Sequence, residues 1–339
     1  MPADLSTLIE VSARIGANPL LVQGPGGNTS LKVAGEIWVK ASGTWLSEAA
    51  DRPIFVGLSL DAARARLAAD LDADLTPARA SASSDLRPSI ETALHVLMPH
   101  AAVLHAHAVG AMTASVLADG VARATRALAG LRWAWIDYRR PGAPLAEEIR
   151  RSLGQTPADI LILQNHGVVV GGATPLEAEA LLADVERRLA LPARNLTNEF
   201  PPEGKPQPGF DPLPGLSGLA SDARARSIVT LAPLLPDQVV FLGGAVPVVS
   251  SDETVEAAAA RTERQTGVAP AFLIAAGRGV FGRQSRSAAA ESVMQGLYEV
   301  ARRVPADAKV KGLPDGAVGA LLGWDAETYR QGLAQGRLV

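Results

Sequence analysis

The spacing of apolar and polar positions changes repeatedly along the chain, and each change marks an element. The start, "MPADLSTLIEVSARIGANPL", has the spacing of a helix. "TSLKV" and "EIWVK" alternate about Ala34-Gly35 and predict two strands joined by a turn. "SIETALHVLM" predicts a helix with Pro88 near its first turn. "AAVLHAH" predicts a strand, "TASVLADGVARATRAL" a mostly helical stretch, and "LRWAWIDY" and "DILILQNHGVVVGG" further strands. "TPLEAEALLADVERRLALPAR" predicts a long helix with Thr174 as N-cap and Pro175 at its first position. Residues 201–216, "PPEGKPQPGFDPLPGL", form the densest Pro/Gly stretch and predict a linker. After it come the expected strands "DQVVFLGG", "AVPVV" and "AFLIAAG", then a helix through "RSAAAESVMQGLYEVARRV". No internal repeat is evident. The expectation is a mixed α/β domain over 1–200, a linker over 201–216 and a smaller α/β piece over 217–339.

Composition narrows the function classes. The 339 residues are 47% hydrophobic and 20% charged, values of an ordinary globular chain. A net charge of −3 gives no basic field for nucleic acid and no polybasic membrane signal. The N-terminus lacks the pattern of a signal peptide and no apolar run approaches ~18 residues, so no membrane span is expected and the cytoplasm is the expected compartment. Cysteine is absent, which removes disulfides and thiolate metal sites. A metal would have to be held by His, Asp or Glu.

The five histidines therefore carry weight. In "VLHAHAVGAM", His105 and His107 are two apart on a predicted strand and share a face, so both imidazoles can approach one ion. Such a pair also arises by chance, or as core histidines bonded to carbonyls. His166 ends another apolar strand and is followed by Gly167, where the backbone can bend or be approached closely. Three protein ligands with one open position is the usual form of a zinc site that does chemistry. On the helix before the His-x-His strand, Ile90, Leu94 and Leu97 form the apolar stripe. Glu91 lies off that stripe, either facing the metal or solvated. His95 shares its side of the helix, and His100 follows Pro99 in a turn; both read as structural or surface histidines.

"GPGGNTS", residues 24–30, is neither a P-loop nor a dinucleotide fingerprint. It is either a tight turn with glycine at positive φ or a nest of N–H groups that, with the Asn28 amide, grasps a small anion. "KASGTWL" offers Lys40, Ser42 and Gly43 for the same purpose.

Taken together, "GGNTSLK", "VKASGTWL", "PSIETALHVLMPHAAVLHAHAV" and "QNHGVVVGG" resemble the class II aldolase/adducin family over roughly residues 5–195, and in particular longer members with a C-terminal extension. The resemblance implies an αβα-sandwich with a central, mainly antiparallel sheet, assembled as a homotetramer with sites at subunit interfaces. It implies Zn²⁺, or another divalent ion such as Mn²⁺ or Co²⁺, on His105, His107 and His166. It implies Glu91 as the acid/base at the nucleophilic carbon, Asn28, Ser42, Gly43 and Ser89 as phosphate ligands, and Tyr138 in "WIDYRRPGAP" as a group reaching a neighbour's site. Sugar-phosphate aldolases of this family often carry Ser or Thr directly before the glutamate; here Ile90 stands there, which leaves a non-phosphorylated or acidic substrate open.

The activity so implied is aldol cleavage of a small ketose or ketose phosphate. Its enediolate needs charge stabilisation, which a metal supplies, and a carboxylate to move a proton, for which a pKa raised by burial would be suited. The same intermediate serves a decarboxylase or epimerase acting on a sugar acid or β-keto acid. A non-catalytic, adducin-like assembly module on the same fold is the reading from another class.

Overall fold

The computed structural model describes residues 5–80, 84–196, 207–334 and 336. It divides into two compact units, Met1–Ser115 with Asp119–Ala190, and Val116–Ala118 with Leu191–Val339.

The first unit runs α1 (Leu5–Gly16), β1 (Asn28–Val33), β2 (Glu36–Lys40), β3 (Phe55–Ser59), α2 (Leu60–Ala69), α3 (Thr92–Leu97), β4 (Ala102–Ala106), α4 (Val109–Val116), α5 (Gly120–Ala127), β5 (Trp133–Ile136), α6 (Ala143–Gln155), β6 (Ile160–Leu163), β7 (Gly167–Gly172) and α7 (Pro175–Leu189). Its seven strands form one sheet in the order β3-β2-β1-β4-β7-β6-β5, antiparallel at every pair except β5–β6. The β1–β2 hairpin closes where expected: Ala34 and Gly35 have φ of 51° and 80°, the pair of positive angles that a two-residue hairpin turn needs. Thr174 caps α7 by accepting from Glu177 N at 3.2 Å.

Strand alternation sorts side chains between two helical layers. Leu104, Ala106, Val168 and Val170 join α1 and α7 through Leu8, Val11, Leu182 and Val185. Val103, Leu161 and Val169 point the other way, onto Leu94, Leu145 and Ile149 of α3 and α6. His105 follows Val103 by two residues, so the same alternation turns it toward the face that α3 covers.

One sequence expectation shifts here and another is met. Helix α3 begins at Thr92 rather than near Ser89, because Pro88 is held in an isolated bridge to Ala41 and the Ser89 hydroxyl accepts the Glu91 N–H in a turn. Gly167 does meet a close approach: a Cβ there would lie 2.4 Å from Ala106 O.

The second unit contains β8 (Phe210–Pro212), α8 (Gly218–Ser221), α9 (Ala223–Leu231), α10 (Pro236–Leu242), β9 (Val248–Val249), α11 (Val255–Thr266), β10 (Phe272–Ala275), β11 (Gly279–Arg283), α12 (Ala288–Ala301), α13 (Ala317–Leu322) and α14 (Asp325–Ala334). The expected linker 201–216 divides: residues 201–206 lie outside the described residues, while β8 is an edge strand of the second sheet. "DQVVFLGG" is helix α10 rather than a strand. Pro236 occupies its first turn and Gly243 closes it at φ 85°, and a short, wholly buried helix has no polar face to show in the sequence. Of "AVPVV" only Val248–Val249 is strand.

The second sheet repeats half of the first, contrary to the expectation of no internal repeat. Its order β8-β11-β10-β9 matches β4-β7-β6-β5 in strand sequence and in direction: antiparallel, antiparallel, parallel. Helices α6 and α11 each cross between the parallel strands, and α7 and α12 each follow the hairpin. The hairpin registers agree pair for pair, Phe272↔Gly282 answering Ile160↔Val170 and Ala275↔Gly279 answering Leu163↔Gly167. Asn165 and Gly277 take the left-handed position in the two turns, at φ 55° and 70°. Ser287 caps α12 as Thr174 caps α7. The repeat is hidden in the sequence because the loops differ in length and few hairpin residues are shared. No single helix among the described residues is long and apolar enough to cross a membrane.

Candidate metal centre and proton-transfer site

β1, β4 and β7 are neighbours, and the predicted residues meet where they end. Asn28 opens β1 opposite His105, His107 lies just past β4, and His166 sits in the turn that leads into β7. The potential ligand atoms of His105, His107 and His166 all lie within 4.8 Å of one another, and the rings are 0%, 6% and 5% exposed. Ring centroids are 4.9–5.1 Å apart. His105 Nδ1 lies 3.0 Å from Val168 O, so it carries the proton and donates, which leaves Nε2 as the ligand atom. Buried imidazoles converging in this way fit a divalent ion of the zinc type.

Glu91 stands at the head of α3, beside the imidazoles. Its Oε2 is 3.4 Å from His105 Nε2 and its Oε1 3.6 Å from His166 Nε2. Burial pushes the carboxyl upward, but His105, His166, the Asn28 amide and His107 outweigh it and hold it at about 2. The expectation of a carboxyl raised by burial is thus reversed: Glu91 is a carboxylate, kept ionised by neighbours that the sequence alone does not place around it.

Asn28 is engaged with this carboxylate, its Nδ2 donating to Glu91 Oε2 at 2.9 Å. Ser42, Gly43 and Ser89 are brought together by backbone pairing, with Ser42 N donating to Arg87 O at 2.8 Å and Ser89 N to Lys40 O at 3.1 Å. Ser42 Oγ is buried without a hydrogen-bond partner among the described residues, while Ser89 Oγ accepts from Glu91 N at 3.2 Å. Gly43 has φ 76°. Lys40 donates from Nζ to Pro25 O and Gly27 O, both at 2.9 Å, and so fastens the glycine-rich loop. In that loop Gly24 and Gly27 have positive φ, and a Cβ on Gly27 would lie 2.8 Å from His105 O.

Tyr138 follows β5, its N–H donating to Gln164 Oε1 at 3.3 Å, next to the turn that bears His166. Its hydroxyl is buried without a partner among the described residues, and burial, opposed by Arg140, pushes the phenol up to about 12. His100 is structural as expected, Nε2 meeting Asp159 Oδ1 at 2.7 Å. His95 belongs with the site instead. It is buried beside Asn28, and its spacing of four residues from Glu91 is the signal in the sequence that points there.

A sheet sandwiched by helices, with three imidazoles and a carboxylate gathered at its strand ends, defines an α/β domain whose buried histidines could hold a metal ion. The model of the Class II Aldolase and Adducin N-terminal domain matches residues 6–191, and the chain belongs to that family. "Uncharacterized oxidoreductase YuxG" of Bacillus subtilis (strain 168) is 30% identical over 189 residues, covering 51% of this chain and 27% of that protein. The chain thus spans little more than a quarter of this curated relative. The N-terminal class II aldolase domain of a conserved Thermoplasma acidophilum protein is 28% identical, covering 56% of this chain and 93% of that one, with a TM-score of 0.49. L-fuculose-1-phosphate aldolase of Thermus thermophilus is 17% identical, covering 56% and 92%, with a TM-score of 0.40.

Proposed function

We propose that the chain is a metal-dependent carbon–carbon lyase that cleaves a small ketose or ketose phosphate through an enediolate. The observation that carries this reading is the ionised Glu91 carboxylate among three buried imidazoles. His105, His107 and His166 would hold Zn²⁺, Mn²⁺ or Co²⁺, which when bound supplies Lewis-acid stabilisation of negative charge on substrate oxygens. In the condensation direction the Glu91 carboxylate removes the proton from the carbon beside the carbonyl; cleavage, the reverse, starts from Glu91 protonated by solvent and gives that proton to the same carbon. Tyr138, neutral at working pH, donates its phenolic proton to the oxygen formed from the aldehyde and is reprotonated by solvent; cleavage, the reverse, starts from the phenolate, which takes the hydroxyl proton. Ser42, Gly43 and Ser89 hold the far end of the substrate, with the unpaired Ser42 Oγ as a hydrogen-bonding group for it. Homotetrameric assembly, with Tyr138 serving a neighbour's site, and a cytoplasmic setting go with this reading.

A second reading, decarboxylation or epimerisation of a sugar acid or β-keto acid, uses the same groups. It is favoured by Asn28, whose amide is bonded to Glu91 and His95 rather than presented to an anion. An assembly module without catalysis has no use for a buried carboxylate held ionised at such a centre. The test is a screen of ketose phosphates, ketoses and β-keto acids with the purified protein and each of the three ions. Cleavage of a ketose to aldehyde and ketone products supports the lyase; carbon dioxide release or epimer formation alone supports the second reading. No turnover by a protein that binds no metal overturns both.

A further inference from the structure

Behind Glu91 lies a line of buried groups that the proposed reaction does not touch. Asn28 Nδ2 donates to Glu91 Oε2 at 2.9 Å, Asn28 Oδ1 faces His95 Nε2, and His95 Nδ1 meets Ser30 Oγ at 2.7 Å. Asn28 is 4% exposed, and Ser30 and His95 are fully buried.

Elementary donor and acceptor rules fix every proton in this line. A carboxylate only accepts, so the Asn28 group facing it is the NH₂; the reverse orientation would set two oxygens against each other. Asn28 Oδ1 then accepts from His95, which places the imidazole proton on Nε2. His95 Nδ1 is left as an acceptor and takes the Ser30 hydroxyl proton. The ring is neutral: burial first, then the charge of His105, pushes it down to about 3, with Glu91 opposing. At the other end, Glu91 Oε1 has no hydrogen bond among the described residues and stands 3.6 Å from His166 Nε2.

We infer that His95 is a positioning residue: as a neutral Nε2–H imidazole anchored by Ser30, it locks the Asn28 amide so that Asn28 holds Glu91 Oε2 and leaves Oε1 for the moving proton. The inference rests on the reading of Glu91 as the proton carrier. Without the line the Glu91 carboxylate would have two comparable oxygens and no preferred one. His95 also explains why Ser30, on an inward position of β1, is a hydroxyl rather than an apolar residue.

The tautomer is read directly from ¹⁵N chemical shifts of the metal-free protein. His95 should show a protonated Nε2 and a bare Nδ1, and a protonated Nδ1 or an imidazolium at neutral pH overturns the inference. Kinetics give a second arm. His95→Phe keeps the ring volume and removes both nitrogens; metal content and KM should hold while kcat falls by about 10–100-fold, the usual effect of removing an outer hydrogen-bonding partner. His95→Gln, which returns a donor near the Nε2 position, should recover most of that loss. Wild-type kcat in His95→Phe overturns positioning, provided Glu91→Gln is impaired in parallel. If Glu91→Gln is also unimpaired, it is the proton-carrier reading that fails. Should His95→Phe not fold, Ser30→Ala, which unpins only the far nitrogen, gives the kinetic arm with a smaller expected loss in kcat, and no loss counts against the line.

Discussion

Substituting Gly167 by alanine tests how tightly the fold sets the metal site. Its Cβ would lie 2.4 Å from Ala106 O, 3.3 Å from Ala106 C and 3.4 Å from the His107 Cα. A carbon needs about 3.3 Å from such an oxygen, so β7 must retreat from β4 by roughly 1 Å. Neither side can yield cheaply, because Ala106 lies between two of the candidate ligands and all three contacts are main chain. The same retreat stretches the 3.0 Å bond from His105 Nδ1 to Val168 O beyond hydrogen-bonding range. Strain of about 1–3 kcal/mol plus one lost hydrogen bond of about 1 kcal/mol gives an expected loss of roughly 2–4 kcal/mol. Releasing the His105 ring should weaken metal binding by about 10–100-fold. Urea unfolding of the metal-free protein, followed by tryptophan emission, reads the first quantity; Trp38, Trp45, Trp133 and Trp135 all belong to the first unit. Competition with a chelator reads the second. Gly154→Ala is the control, since that helical glycine has open space around it and should gain up to about 1 kcal/mol. A Gly167→Ala protein with unchanged stability and metal affinity would refute the argument.

Glu91→Gln should keep its metal and lose about 10²–10⁴-fold in turnover, as expected for a missing acid/base, measured on the substrate the screen identifies. His105→Ala should fold but lose bound metal by elemental analysis; full occupancy counts against the ligand set. If Tyr138 serves a neighbouring subunit, inactive Glu91→Gln and inactive Tyr138→Phe proteins should regain activity when their subunits are exchanged, and proven exchange without recovery ends that idea. Burial, aided by Arg64, lowers Lys32 from 10.5 to about 8. The folded state then binds fewer protons than the unfolded chain between those values, so wild type should gain stability over Lys32→Met as pH rises from about 8 to 10.5, by at most about 3 kcal/mol in total. A flat difference across that window disproves the burial of a charged Lys32.

The clustering of the three histidines was legible because strand alternation is a strict rule: His105 and His107 had to share a face, and Gly167 marked the point where another chain segment comes close. The charge state of Glu91 was not legible, since it depends on four groups from separate segments that only the folded sheet brings around it. Its apparent place inside a helix also concealed that Pro88 pairs with Ala41 and delays the helix to Thr92. His95 was half visible, by its spacing from Glu91, but its partners Asn28 and Ser30 lie on a distant strand. Helix α10 was misread because a buried seven-residue helix and a buried strand have the same unbroken apolar sequence.

The repeated half-sheet amounts to a control experiment already performed within the chain. Where the two copies agree, the demand comes from folding: a left-handed residue in the hairpin turn, a hydroxyl before the helix that follows, and Leu161-Ile162 and Gly167-Val168 answered by Leu273-Ile274 and Gly279-Val280. Where they part, the order of the sheet does not dictate the residue. Register puts Arg278 in the place of His166, and Pro212 opposite Phe281 where His105 stands opposite Val169. A sheet of this order therefore closes without imidazoles. The histidines of the first unit are thus an addition to a strand order that forms elsewhere in the chain from other residues, which separates what the sheet requires from what the site requires.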